Sequence, residues 1–326
     1  MKNISMTLIL AALVLFVAGC ANTGNSGSNT AFIGGTEGLR STFMAGNPPE
    51  AVFDASNSNF AIVVKLENIG ENTVNVGDGY VKINGLDPGT FGVSTLQAPI
   101  GVDINGAVKN FDGSTLNGGI ATVEFPGLHY IPSIQGNLQQ TVWADVCYKY
   151  ATKATAQLCI KKNAEMLINN KKICDVEGEK NPQNSGAPIQ VTSLKENFAG
   201  SGKIGVTLVI THKGKGDNFF KDSDTVCDDV ESNPNRGKVH VRFNPMRLGS
   251  NANVYPVCNG LQEAINAHDG YVRLFKDSSG AETYSLYCTV DATTQDSVFQ
   301  IPVDVELTYL YLQHMEQTLN IRHATQ

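Results

Sequence analysis

The densest run of potentially reactive side chains lies between positions 217 and 231, where Asp217, Asp222, Asp224, Asp228, Asp229 and Glu231 crowd into one short stretch. Clustered carboxylate oxygens are what a hard cation such as calcium requires. The spacing is not that of an EF-hand loop, because Val226 and Cys227 stand where an oxygen ligand and a turn glycine are needed. The stretch reads first as a solvated loop and second as a calcium site, with Asp222, Asp224, Asp228 and Asp229 as its ligands. No other cofactor is expected.

A second segment, residues 125–132, is aromatic and bounded by prolines, and could offer His129 and Tyr130 for stacking on a sugar or a partner chain. As a crossover between strands it would do no chemistry. Trp143 shares a strand face with Asp145 and Lys149, which leaves it either exposed or covering a disulfide at Cys147. Residues 199–204 look like a phosphate loop, yet Asn197 stands at the leading glycine position and no Ser or Thr follows Lys203. The segment also precedes a strand rather than a helix, so it reads as a turn. There is no nucleophile elbow, zincin helix or dinucleotide fingerprint, and an enzyme is not expected. The net charge of −7 disfavours nucleic acid as a partner.

Seven cysteines carry the remaining chemistry. Cys20 closes the run Val17, Ala18, Gly19, Cys20 after a short apolar stretch over residues 6–18, too short to span a bilayer and of the length of a secretory core. Small residues before the cut and a thiol after it are similar to the lipobox of lipoprotein signals, so Cys20 is expected to carry lipid, and two acyl chains would anchor it stably. The other six cysteines form an even set in an exported chain and contain no Cys-x-x-Cys, which favours three disulfides over zinc.

These residues must be positioned by strands. Phe60, Ile62, Val64 and Leu66 alternate on one face before Gly70, and Ile204, Val206, Leu208 and Ile210 do the same before Gly214. Residues 144–150 and 158–160 likewise lie over residues 305–311 and 319–321 without gaps, matching Tyr148 and Tyr150 to Tyr309 and Tyr311. Each copy of this second match reads as strand, short turn, strand. The chain is thus expected to be all-β, with two tandem antiparallel immunoglobulin-like sandwiches after a signal peptide and flexible tether. The boundaries are signal 1–19, lipidated Cys20 and tether 20–30, first domain 31–162, linker 163–187 with a helical turn near its start, and second domain 188–326.

Cys147 and Cys159 correspond to Thr308 and Asn320, so both are missing together from the second copy. A hairpin centred on Lys153 would set them opposite each other, and they are expected to bond. Of three connectivities for the rest, Cys258 with Cys288 and Cys174 with Cys227 is preferred.

The residues 34–39 (GGTEGL), Asn47 to Pro49, the strand-plus-glycine signatures, Asp145 to Tyr150 and residues 186–191 resemble archaeal surface lipoproteins built from tandem immunoglobulin-like, adhesion-type domains. The resemblance implies a non-enzymatic protein on the outer face of the cell membrane, serving adhesion, envelope structure or assembly with other surface proteins. A surface subunit binding a glycan or peptide is the alternative, and an extracellular hydrolase comes third.

Overall fold

Alternating apolar residues of β-branched type favour strands that bury one face, and the chain uses them throughout. The computed structural model describes residues 30–56, 58–161, 173–200, 202–216, 218–248, 251–292 and 297–324, and among these every regular element is β. Cys20, Asp217 and the turn expected over residues 163–168 lie outside the described residues.

The first half contains β1 (Leu39–Phe43), β2 (Phe60–Asn68), β3 (Gly79–Asn84), β4 (Gln97–Pro99), β5 (Ile120–Leu128) and β6 (Leu138–Ile160). The second contains β7 (Ile189–Phe198), β8 (Lys203–His212), β9 (Lys238–Phe243), β10 (Val257–Asn259), β11 (Asp269–Arg273), β12 (Glu282–Asp291) and β13 (Phe299–Arg322). One sheet has the order β1-β2-β5, and its counterpart runs β7-β8-β12-β10. The large sheet runs β11-β9-β13-β6-β3-β4, with Gln262–Asn266 added beyond β11. Apart from the strands carried by the connection between β9 and β11, the main strands of the second half therefore repeat those of the first in the same order, as the sequence match indicates.

The expectation of two separate tandem sandwiches holds only in part. Residues 144–160 and 305–321 are not hairpins: each belongs to one long strand, and β6 and β13 pair antiparallel from Leu138–Ile321 to Ile160–Phe299. Lys149 faces Leu310, its own counterpart in the repeat, so a pseudo-twofold axis passes between them. The two halves share one sheet. Part of the expected linker also forms strands, with Gln183–Asn184 joining the shared sheet at β6 and Gly178–Glu179 joining the other sheet at β7.

Tertiary contact explains why the repeat retains its glycines and tyrosines. Tyr150 Oη donates to Asn68 Oδ1 (3.1 Å) and accepts from Asn72 N (3.3 Å). At the corresponding positions, Tyr311 Oη accepts from Gly216 N (2.9 Å) and meets His212 Nε2 (2.8 Å). A Cβ on Gly70 would overlap the Tyr150 hydroxyl, and one on Gly214 would overlap that of Tyr311. Each long strand is thus locked to the opposing layer through a buried hydroxyl, and only glycine leaves room for it.

The disulfides are Cys147–Cys227, Cys159–Cys174 and Cys258–Cys288. The last agrees with the sequence reading, its two cysteines lying directly opposite in β10 and β12. The Cys147–Cys159 and Cys174–Cys227 pairings are corrected. With no turn at Lys153, Cys147 and Cys159 sit about 40 Å apart along one strand at about 3.3 Å per residue. Tyr80, not Trp143, packs beside Cys147 and Cys227, while Trp143 is 38% exposed and meets the His314 ring at 5.5 Å. Three bridges are consistent with an oxidising, extracellular location.

Candidate strand-accepting groove

The two halves differ most at their outer edges. In the second half, the connection from β9 to β11 carries, among the described residues, four additional strands: Met246–Leu248 and Asn251–Val254 pair with each other, β10 covers the free edge of β12, and Gln262–Asn266 covers that of β11. The corresponding connection in the first half, residues 85–96 between β3 and β4, is much shorter. As a result β4 ends the large sheet and β5 ends its own. Between these edges lies a groove of about 450 Å³, lined by residues 92–98 and 124–128, a volume within the range of ligand sites.

Register fixes the correspondence. Ile62 pairs with Phe125 as Val206 pairs with Cys288, and Ile62 and Val206 occupy equivalent repeat positions. The groove wall at Phe125 is therefore where β10 lies, and is disulfide-bonded, in the other half. Leu96, Phe125 and Leu128 are buried beneath it, with Ser94, Thr95, Gln97 and Glu124 exposed at its sides. Pro126 removes one backbone donor from the β5 edge.

Of the two residues expected to stack on a ligand, Tyr130 is only 6% exposed and packs edge-on against Phe91 at 5.3 Å, so it belongs to the core. His129 is half-buried, its ring lying against Gly92, beside the groove rather than across it. Of the segment 125–132 singled out in the sequence, residues 125–128 line the groove, whereas His129 and Tyr130 do not.

The calcium candidates do not converge. Asp222 points inward to His240, Tyr271 and Thr308. Asp224 accepts from the Asn235 amide (3.0 Å), Asp229 faces Arg236 at 3.4 Å, and the Asp228 carbonyl accepts from Asn233. Among the described residues no group of three or more His, Cys, Asp or Glu is placed to hold a metal ion. Residues 199–204 span the end of the connection from β7, which stops at Phe198, and the start of β8 at Lys203, with Lys203 N donating to Gly200 O (2.9 Å), while Ser201 lies outside the described residues.

Three polar clusters, partly or fully buried, went unrecognised because each joins residues far apart in sequence. His240 Nδ1 faces Asp222 (3.0 Å) and Nε2 faces Asp269 (2.6 Å), with Tyr271 stacked on the ring at 4.6 Å. The Asp222 hydrogen bond, against the opposing effect of burial and with help from Asp269, raises the imidazole pKa. Burial pushes Asp222 up, but hydrogen bonds from His240, Thr308 and Tyr271 prevail and hold it at about 2. With carboxylates at both nitrogens the ring is a double donor, and the Thr308 hydroxyl gives its hydrogen to Asp222 (2.6 Å). A catalytic base would instead accept from that hydroxyl.

His212 links Glu282 (2.9 Å) to Tyr311 (2.8 Å), the order of a charge relay. Its terminal hydroxyl is fully buried and already accepts from Gly216 N, so no substrate reaches it. Glu196 accepts the Cys159 amide with both oxygens (3.1 and 2.9 Å) and pairs with Lys180 at 3.0 Å. Burial pushes its carboxyl up to about 7 in spite of those partners. The His240 cluster ties neighbouring strands of the large sheet together, whereas the His212 and Glu196 clusters join the two opposed sheets.

No family model matches the chain, and no curated protein matches it. Among solved structures it is similar to the secreted serine protease VesC from Vibrio cholerae, with 10% identity and a TM-score of 0.17 over 84% of this chain. The chain spans half the length of that protein. The expectation of a non-enzymatic protein for adhesion, envelope structure or assembly is withdrawn. The neighbour found is an enzyme, although a TM-score of 0.17 transfers neither fold nor activity, and the two separately displayed modules that the expectation needed share one sheet.

Proposed function

We propose that the first half recognises an extended polypeptide segment, taking it up as an added strand in the groove between β4 and β5, on a protein held outside the membrane through lipid on Cys20. The observation that supports the reading is β10, which occupies the equivalent position in the second half and pairs with β12 at Cys258–Cys288. Strand addition draws affinity from main-chain hydrogen bonds and selectivity from pockets for alternate side chains. The floor at Leu96, Phe125 and Leu128 suits apolar side chains at alternate positions, and Glu124 at the rim favours a cationic neighbour. Because Pro126 offers no N–H, backbone pairing is confined to the part of β5 that precedes it.

The repeat supplies its own test. In a Phe125→Cys variant, a synthetic peptide spanning residues 255–261, with its cysteine activated as a 2-thiopyridyl disulfide, is expected to be attacked by the introduced thiolate and to form a mixed disulfide that mimics Cys258–Cys288, with pyridine-2-thione as the leaving group. The same peptide offered to a Ser279→Cys variant, far from the groove in sequence and on an exposed turn, serves as the control. Equal trapping at both positions, or none at position 125, refutes the reading.

A further inference from the structure

The most exposed large apolar side chain among the described residues is Phe111, at 105% of its reference exposure. It projects from the tip of a short hairpin made by Val108–Lys109 and Thr115–Leu116. The tip is well ordered by its own bonds: Asn110 N donates to Ser114 O (2.8 Å), Gly113 N to Asn110 O (3.0 Å), and the Ser114 hydroxyl to Asp112 (2.7 Å). Val108 and Leu116, at the two sides of the hairpin, are also exposed. A hairpin that satisfies its polar groups internally while turning an aromatic ring fully outward is built to meet an apolar phase.

The position of the hairpin identifies that phase. Lys109 Nζ donates to both the carbonyl and the hydroxyl of Thr30, each at 2.7 Å. Thr30 is where the described chain begins, and ten residues separate it from Cys20. Ten residues reach at most about 35 Å when fully extended, and Phe111 lies two residues beyond the lysine that holds Thr30. A lipid on Cys20 would therefore keep this hairpin within about 35 Å of the membrane surface, while the net charge of −7 gives the protein no general attraction to anionic headgroups.

We propose that the hairpin inserts Phe111, flanked by Val108 and Leu116, into the headgroup–acyl boundary of a zwitterionic bilayer, forming a second contact that orients the protein on the membrane. The proposal rests on anchorage through Cys20, and the test separates the two. The full chain carrying Trp143→Phe and Phe111→Trp is reconstituted with phosphatidylcholine vesicles containing brominated lipid, and both flotation and indole fluorescence are read. Flotation with at least two-fold quenching at position 111 is expected, together with quenching that persists in high salt. A matched variant with Ile265→Trp, exposed in the other half, is expected to show none. Flotation without quenching at 111, or equal quenching at 265, overturns the hairpin contact and leaves anchorage standing. A chain that does not float overturns both.

Discussion

Replacing Cys147 and Cys227 together by alanine removes the bridge that closes the longest loop, with a sequence separation of 80 residues against 30 and 15 for the other two. On the loop-closure relation the bridge restricts the unfolded chain by about 4.5 kcal/mol at 25 °C, and the Cys159–Cys174 bridge by about 3 kcal/mol. The longer loop should therefore cost about 1.5 kcal/mol more to open. Packing acts in the same direction, since Cys147 is fully buried against Phe220, Leu310 and Leu312. Urea unfolding of the two double variants, followed by tyrosine circular dichroism without reductant, measures the difference. A peptide map under the same conditions should join Cys147 to Cys227. Equal stability of the two variants would refute the entropic reasoning, and a fragment joining Cys147 to Cys159 would refute the strand assignment beneath it.

The remaining expectations concern the buried polar groups. His240 has a raised folded-state pKa, so its stabilisation is complete below about pH 6.5 and is lost as pH rises through the folded value, while that of Asp222 is present above about 3.8 and is lost as pH falls toward about 2. The stability difference between wild type and His240→Asn should accordingly be largest near pH 5 and smaller at pH 9, and a difference that does not vary with pH would rule the ion pairs out as its source. Tyr311→Phe deprives Gly216 N and His212 of a buried partner and should destabilise by about 1 to 3 kcal/mol, as should Tyr150→Phe through Asn68 and Asn72. Tyr287→Phe, at a half-exposed site, should change the urea midpoint little, and a comparable loss there would show that the hydroxyl locks are not special.

Much of the local structure was legible. The alternation in residues 60–66 and 204–210 places β2 and β8, and the failure of residues 199–204 as a phosphate loop is matched by their place between two strands, β7 ending at Phe198 and β8 starting at Lys203. The misreading at Lys153 has a definite cause. A hairpin there would set Cys147 opposite Cys159, but the small residues Ala151, Thr152, Ala154 and Ala156 continue one strand to which other backbones approach closely. Thr152 Oγ1 donates to Ile189 O (2.5 Å), and Gln183–Asn184 pairs onto Thr155 and Ala154. The candidate groove was only half visible, since residues 125–132 drew notice for their aromatics while the lining is set by strand edges.

The sequence by itself determined that residues 60–66 and 204–210 become strands, that the chain is a duplication, and that six of its cysteines bond in pairs, because each of these depends on residue type and short-range period. Only the tertiary structure decided that β6 and β13 join the halves, which cysteines meet, and that β4 and β5 keep open edges. Strand pairing is made by backbone groups common to every residue, so a strand carries little record of its neighbour, and the neighbour is chosen by burial and loop length across the whole molecule.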